Sequence, residues 1–160
     1  MREESPRATV TRPFGRWKEL VAALGVILSM IFVGLELRQN TVAVRAAARN
    51  ELAAGARDWL MALAESPELA DALGLWLTPD SELTPTQGSA ARYAVRALLR
   101  NVENVFFQVQ GGIVPEEALT SYGIQSGVFR GPRFHDLWIS ERDGYDPEFV
   151  TLFETRLGIR

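Results

Sequence analysis

The chain has 160 residues, enough for one domain with a real core and little more. Hydrophobic residues make up 47%, ordinary for a globular protein, and the absence of cysteine excludes disulfides, thiolate nucleophiles and cysteine metal sites. A formal net charge of −3 argues against nucleic-acid binding by bulk electrostatics. Basic charge gathers in the first nineteen residues, where Arg2, Arg7, Arg12, Arg16 and Lys18 stand against Glu3, Glu4 and Glu19.

Residues 1–16 are polar, carry Pro6 and Pro13, and read as a disordered N-terminal tail. From Leu20 to Leu35 there is neither a charge nor a proline. Sixteen helical residues rise roughly 24 Å, short of a ~30 Å hydrocarbon core. Trp17, Lys18 and Leu37 supply the difference, because an interfacial tryptophan and a snorkelling lysine belong at such an edge. A transmembrane helix is therefore expected over 17–37, about 31 Å long, with Trp17, Lys18 and Arg38 at the membrane interfaces. A cleaved signal peptide would need small residues soon after the apolar run, and Gly34-Leu35-Glu36-Leu37-Arg38 does not offer them. A buried core helix fails because the run is apolar all round and the remaining chain is too small to encase it. Four basic residues on the N-terminal flank against Arg38, Arg45 and Arg49 on the other do not set the orientation. Gly25 and Ser29 form a small-xxx-small pair.

No breaker intervenes between Leu37 and Glu65, so the helix is expected to run on. Its apolar face would be Leu37, Thr41, Val44, Ala48, Leu52, Gly55, Trp59 and Leu63. Beside that face the spacing of Arg38, Arg45 and Arg49 makes one stripe, either a solvated flank or a contact for lipid phosphates. The segment Thr41–Leu52 lies farthest from the following turn; the third helix, roughly 38 Å long, could reach most of it, but a parallel homo-oligomer, most simply a symmetric dimer, is expected to cover it.

Ser66-Pro67 starts a second helix and Thr84-Pro85 a third, each with a hydroxyl N-cap and proline at the first position. The third, to about Gln110, has the clearest period: Val95, Leu98, Leu99, Val102, Val105, Phe106 and Val109. Gly111-Gly112 ends it. A fourth helix opens at Pro115-Glu116-Glu117 and is expected to carry Gly123 and Gly127 inside it as far as the break at Gly131-Pro132; a short one runs from Phe134 to about Arg142, and Asp146-Pro147-Glu148 starts the last. No segment alternates as a half-buried strand. The expected fold is all-α: one transmembrane helix continuing into a compact bundle of four to five helices over residues 38–160.

Chemistry is sparsely marked. Between Asp58 and Gln87 every charge is acidic (Asp58, Glu65, Glu68, Asp71, Asp80, Glu82), and the next charges are Arg92, Arg96 and Arg100, so the two blocks are expected to face each other. Glu103, Asn104 and Gln108 could line a polar pocket near Trp59 or Trp138, or simply fix helix register. The single histidine, His135, has no nucleophile at a set spacing, and no metal-ligand pattern, phosphate loop or dinucleotide fingerprint is present. Asp143 to Glu148 reads as a turn plus N-cap rather than a cation loop.

Two stretches carry a resemblance. Phe32-Val33-Gly34-Leu35-Glu36-Leu37-Arg38-Gln39-Asn40-Thr41 and, later, Leu83-Thr84-Pro85 followed by Glu103-Asn104-Val105-Phe106-Phe107-Gln108 resemble a family of small bacterial proteins. Each member has one N-terminal membrane helix ending in an arginine-glutamine-asparagine-threonine motif. A glutamate-asparagine pair before two aromatics and a glutamine comes later. Trp138 and Asp146-Pro147-Glu148-Phe149 are similar too. The resemblance implies a single-pass protein of the bacterial cytoplasmic (inner) membrane and a helical architecture, and no activity goes with it. It marks Gln39, Asn40, Glu103, Asn104 and Gln108. The function expected is a non-enzymatic, membrane-anchored interaction module or accessory subunit without cofactor or metal. Its partners would be the bilayer and a homo-oligomer or larger membrane complex. The alternative is a small-ligand sensor or enzyme built on Glu103, Asn104 and Gln108.

Overall fold

The computed structural model describes residues 14–159, and among them every regular element is helical. α1 is Phe14–Glu65, α2 Pro67–Leu77, α3 Pro85–Gln110, α4 Glu117–Ser121, α5 Pro132–Glu141 and α6 Pro147–Leu157. Single 3-10 turns occupy Gly127–Arg130 and Arg142–Gly144. The tail expected over residues 1–16 falls outside the described residues except for its last three, which are already helical. The chain divides into two units, Met1–Ala43 and Val44–Arg160.

The first unit consists, where described, of the N-terminal part of α1. Its apolar side chains lie open: Leu20, Leu28, Met30 and Phe32 are between 56% and 70% exposed. Among the described residues, α1 is the one helix long and apolar enough to cross a membrane. Its two hydroxyls are satisfied within the helix, Ser29 Oγ donating to the Gly25 carbonyl at 2.8 Å and Thr41 Oγ1 to Leu37 at 2.9 Å.

The second unit is a helical bundle. Three of its helices start where capping chemistry places them. Ser66 Oγ accepts from the Leu69 N–H at 3.2 Å. Thr84 and Gln87 form a reciprocal capping box. The Asp146 carboxylate accepts from the Glu148 and Phe149 N–H groups at 2.9 and 3.2 Å. The turn-and-cap reading of residues 143–148 therefore holds.

α2 packs on α3 through Ala72, Leu73 and Trp76, meeting an α3 face of Ala91, Val95, Leu98, Leu99, Val102, Val105 and Phe106. The other half of the core is aromatic. Phe129, Phe134, Trp138, Phe149 and Phe153 are almost wholly buried, with the Trp138 and Phe153 ring centroids 4.8 Å apart. Burying each phenylalanine stabilises the fold by up to about 3 kcal/mol. Trp138 keeps its N–H satisfied by donating to Glu154 Oε1 at 3.0 Å.

Two expectations need correction. The fourth helix is only five residues long, because the chain turns at Gly123, whose φ of +114° suits glycine alone. That turn brings the Ile124 N–H to the Leu119 carbonyl and buries the isoleucine. The apolar face of α1 within the second unit is also covered sooner than expected. Ala48 and Leu52 are about 5% exposed, enclosed by the chain's own bundle, while Val44 stays 47% exposed.

Candidate functional site

α3 carries every residue of the expected polar pocket, and its geometry separates them. Asn104 points to solvent, whereas Glu103 and Gln108 are buried. Successive residues of a helix stand about 100° apart, so Glu103 and Asn104 cannot share one pocket floor. Gln108 lies five residues beyond Glu103, well around the helix from it.

Glu103 is fully engaged. Its Oε2 accepts from Arg100 at 2.6 Å and its Oε1 from the Asp146 backbone N–H at 3.1 Å. Arg100 also donates to the Gly144 carbonyl at 3.1 Å, and its guanidinium lies 3.9 Å from the centroid of the buried Tyr145 ring. Together these contacts clamp the turn before α6 onto α3. The hydrogen bond to Glu103 raises the pKa of Arg100, and burial pushes the Tyr145 phenol above its usual value. Next to the clamp Arg96 holds Glu141 through two donors, Nε lying 2.8 and 2.7 Å from the two carboxylate oxygens, and that bond raises the Arg96 pKa.

The acidic block and the α3 arginines therefore do not face each other. α2 presents Ala72, Leu73 and Trp76 to α3, which turns Glu68 and Asp71 outward, and Arg96 and Arg100 take Glu141 and Glu103 instead. Among the described residues Asp58 pairs only with its neighbour Arg57, at 3.4 Å on the surface.

Two positions of α3 that hydrogen-bond to α1 lie seven residues apart. The Ala94 carbonyl accepts from Trp59 Nε1 at 2.9 Å, and Asn101 Nδ2 donates to the Gly55 carbonyl at 3.2 Å. Gln108 is the next position on this stripe, and its Oε1 is buried with no partner among the described residues. Asn101 is thus the amide that sequence reasoning missed. A heptad count back from Gln108 finds it.

Arg133 was missed too. Its Nη1 donates to the Leu75, Trp76 and Thr78 carbonyls at 2.7, 3.1 and 2.9 Å, and its Nη2 to the Ser81 carbonyl. It caps the C-terminal end of α2 from α5, satisfying carbonyls that a helix end leaves free.

An open, mostly apolar groove of about 570 Å3 runs between α3 and α6, lined by Phe106, Pro147, Thr151, Leu152 and Thr155; neither Glu103 nor Gln108 lines it. His135 and Asp136 lie 3.9 Å apart on the surface. Among the described residues no three metal-ligating side chains converge. The interface candidates Trp17, Lys18 and Arg38 are all exposed. Compared with protein-family models, with curated proteins and with solved structures, the chain matches none.

Proposed function

We propose that the chain is a membrane-anchored helical module that works by binding, as an interaction or accessory subunit in a bacterial inner membrane, rather than by catalysis. One observation carries this reading. The apolar run Leu20–Leu35 is exposed all round, while the bundle completes its own core without it. Water penalises that surface at roughly 25 cal/mol per Å2, so a bilayer is the environment that suits it. Trp17 and Lys18 at one end and Arg38 at the other match the interfaces of such a span.

The ligand or enzyme alternative loses its support in the geometry of α3. Both Glu103 oxygens are taken by protein donors, and Asn104 faces away. Self-association remains part of the proposal, resting on the Gly25 and Ser29 pair and on Val44, since Ala48 and Leu52 are already covered.

The test is extraction of native membranes with alkaline carbonate, which strips peripheral proteins. The chain should stay with the bilayer. Arginine placed at Val26 and Leu28, at a cost of about 3 kcal/mol each near the bilayer centre, should release it. Release of the unaltered chain would overturn the anchor. A stoichiometric companion, or a second copy, in detergent pull-downs would support the binding role, and a clean monomer without companions would count against it.

A further inference from the structure

We infer that Arg45 and Arg49 form a contact site for the phosphates of anionic phospholipid headgroups. The inference rests on the membrane-anchor reading. Both side chains are exposed and neither makes an ion pair among the described residues. They stand four residues apart on α1, within about 40° of each other around the helix. Glu51, the next acid along the chain, is turned about 160° away from Arg49. The neighbouring Ala48 and Leu52 are buried by the bundle, so the two arginines border a covered face and look outward.

Their distance along the helix suits headgroups. Arg45 and Arg49 come eight and twelve residues after Leu37 on α1, a rise of about 12 and 18 Å. The polar layer of a bilayer is about 5–8 Å deep on each side. Side chains on an α-helix lean toward its N-terminus, which for α1 is the direction of the apolar run. Arg45 therefore reaches back to the phosphate level with its long stem. Arg49 stays within about one Debye length of it, ~8 Å at physiological salt. A guanidinium fork pairs with phosphate oxygens two at a time, which favours a headgroup over a diffuse cloud of counterions.

The experiment uses the full chain in vesicles of phosphatidylcholine with and without phosphatidylglycerol. Spin-labelled versions of each lipid report the motionally restricted shell by electron paramagnetic resonance. The chain should prefer phosphatidylglycerol, and R45Q/R49Q should lower that preference by about fivefold per arginine. High salt should lower it in the unaltered chain as well. Arg57→Gln, an exposed arginine eight residues beyond Arg49, should leave the preference unchanged. Equal preference in R45Q/R49Q and the unaltered chain would overturn the site and leave an acidic protein partner for these arginines. An equal loss in Arg57→Gln would reduce the effect to bulk charge and overturn it too. If neither lipid shows a restricted shell around the unaltered chain, the anchor fails and this site with it; a restricted phosphatidylcholine shell separates the two failures.

Discussion

Asn101 lies against Gly55: its Nδ2 donates to the Gly55 carbonyl at 3.2 Å, and a Cβ at Gly55 would stand 3.0 Å from its Oδ1. The glycine thus lets α3 approach α1 within the second unit, at a helix-interior position where alanine would otherwise be favoured by about 1 kcal/mol. Gly55→Ala alone should not gain that stability, because the Asn101 amide must give way. Asn101→Ala should cost about 1 kcal/mol for the lost hydrogen bond. In the Asn101→Ala background Gly55→Ala should become stabilising by about 1 kcal/mol. Urea unfolding of the four proteins in detergent gives the cycle, and strictly additive effects would show that the two residues do not touch.

Glu103 is predicted to be a clamp rather than a reactive group. Glu103→Ala removes the acceptor of the Asp146 N–H and of Arg100 Nη1, while Arg100 Nη2 keeps the Gly144 carbonyl, and should destabilise the bundle by about 2 kcal/mol. Asn104→Ala, on the exposed neighbour, should change stability by less than about 0.5 kcal/mol. Thermal unfolding followed by tryptophan fluorescence separates them, since Trp138 packs at 5.5 Å from Tyr145 in the clamped turn. Equal losses for the two substitutions would put the clamp in doubt.

How far the sequence carried depended on the range of each signal. Ser66-Pro67, Thr84-Pro85 and Asp146-Pro147 are local chemistry, and α2, α3 and α6 begin where they predict. The end of α4 depends on a single glycine φ, and the run from Pro115 to the Gly131-Pro132 break reads as helix until the turn at Gly123 is seen. Burial of Glu103 was legible as a polar residue within a strong apolar period. Its partners were not, because Asp146 is 43 residues away in sequence. The opposed charge blocks misled for a related reason: apolar packing of Leu73 and Trp76 sets how α2 faces α3, and exposed ion pairs worth up to about 1 kcal/mol follow rather than lead.

Alkaline pH should weaken the bundle through Tyr145. Burial raises its pKa above the usual 10, and the nearby Arg100 charge opposes that only in part. The folded state therefore favours the neutral phenol. The stability this contributes is complete below pH 10 and is lost as pH rises through the folded-state value. Arg96 and Arg100 are also raised, by their bonds to Glu141 and Glu103, so their contribution persists to higher pH still. Tyr145→Phe keeps the ring beneath Arg100 and removes the titrating proton. Its stability should track the unaltered chain at neutral pH and fall less steeply above pH 10. Parallel curves would assign the alkaline limb to other groups.

Self-association can be read directly, because the chain has no cysteine of its own. A disulfide between copies requires Cα atoms about 4.4–6.8 Å apart, which a two-fold axis provides only for residues close to it. Val44 is 47% exposed and Ala48 only 6%, although they lie one turn apart. Val44→Cys should therefore be captured as a dimer by mild oxidation in membranes, whereas Ala48→Cys, enclosed by its own bundle, should not. Ser29→Cys tests the small-residue face within the apolar run independently of the bundle. Capture at Ser29 and Val44 together would place a parallel pair along α1. Capture at Ala48 as readily as at Val44 would mean that the bundle leaves this part of α1 in the membrane. Capture at none of the three, with normal expression, would make the monomer the working form and leave a different protein as the partner to be found.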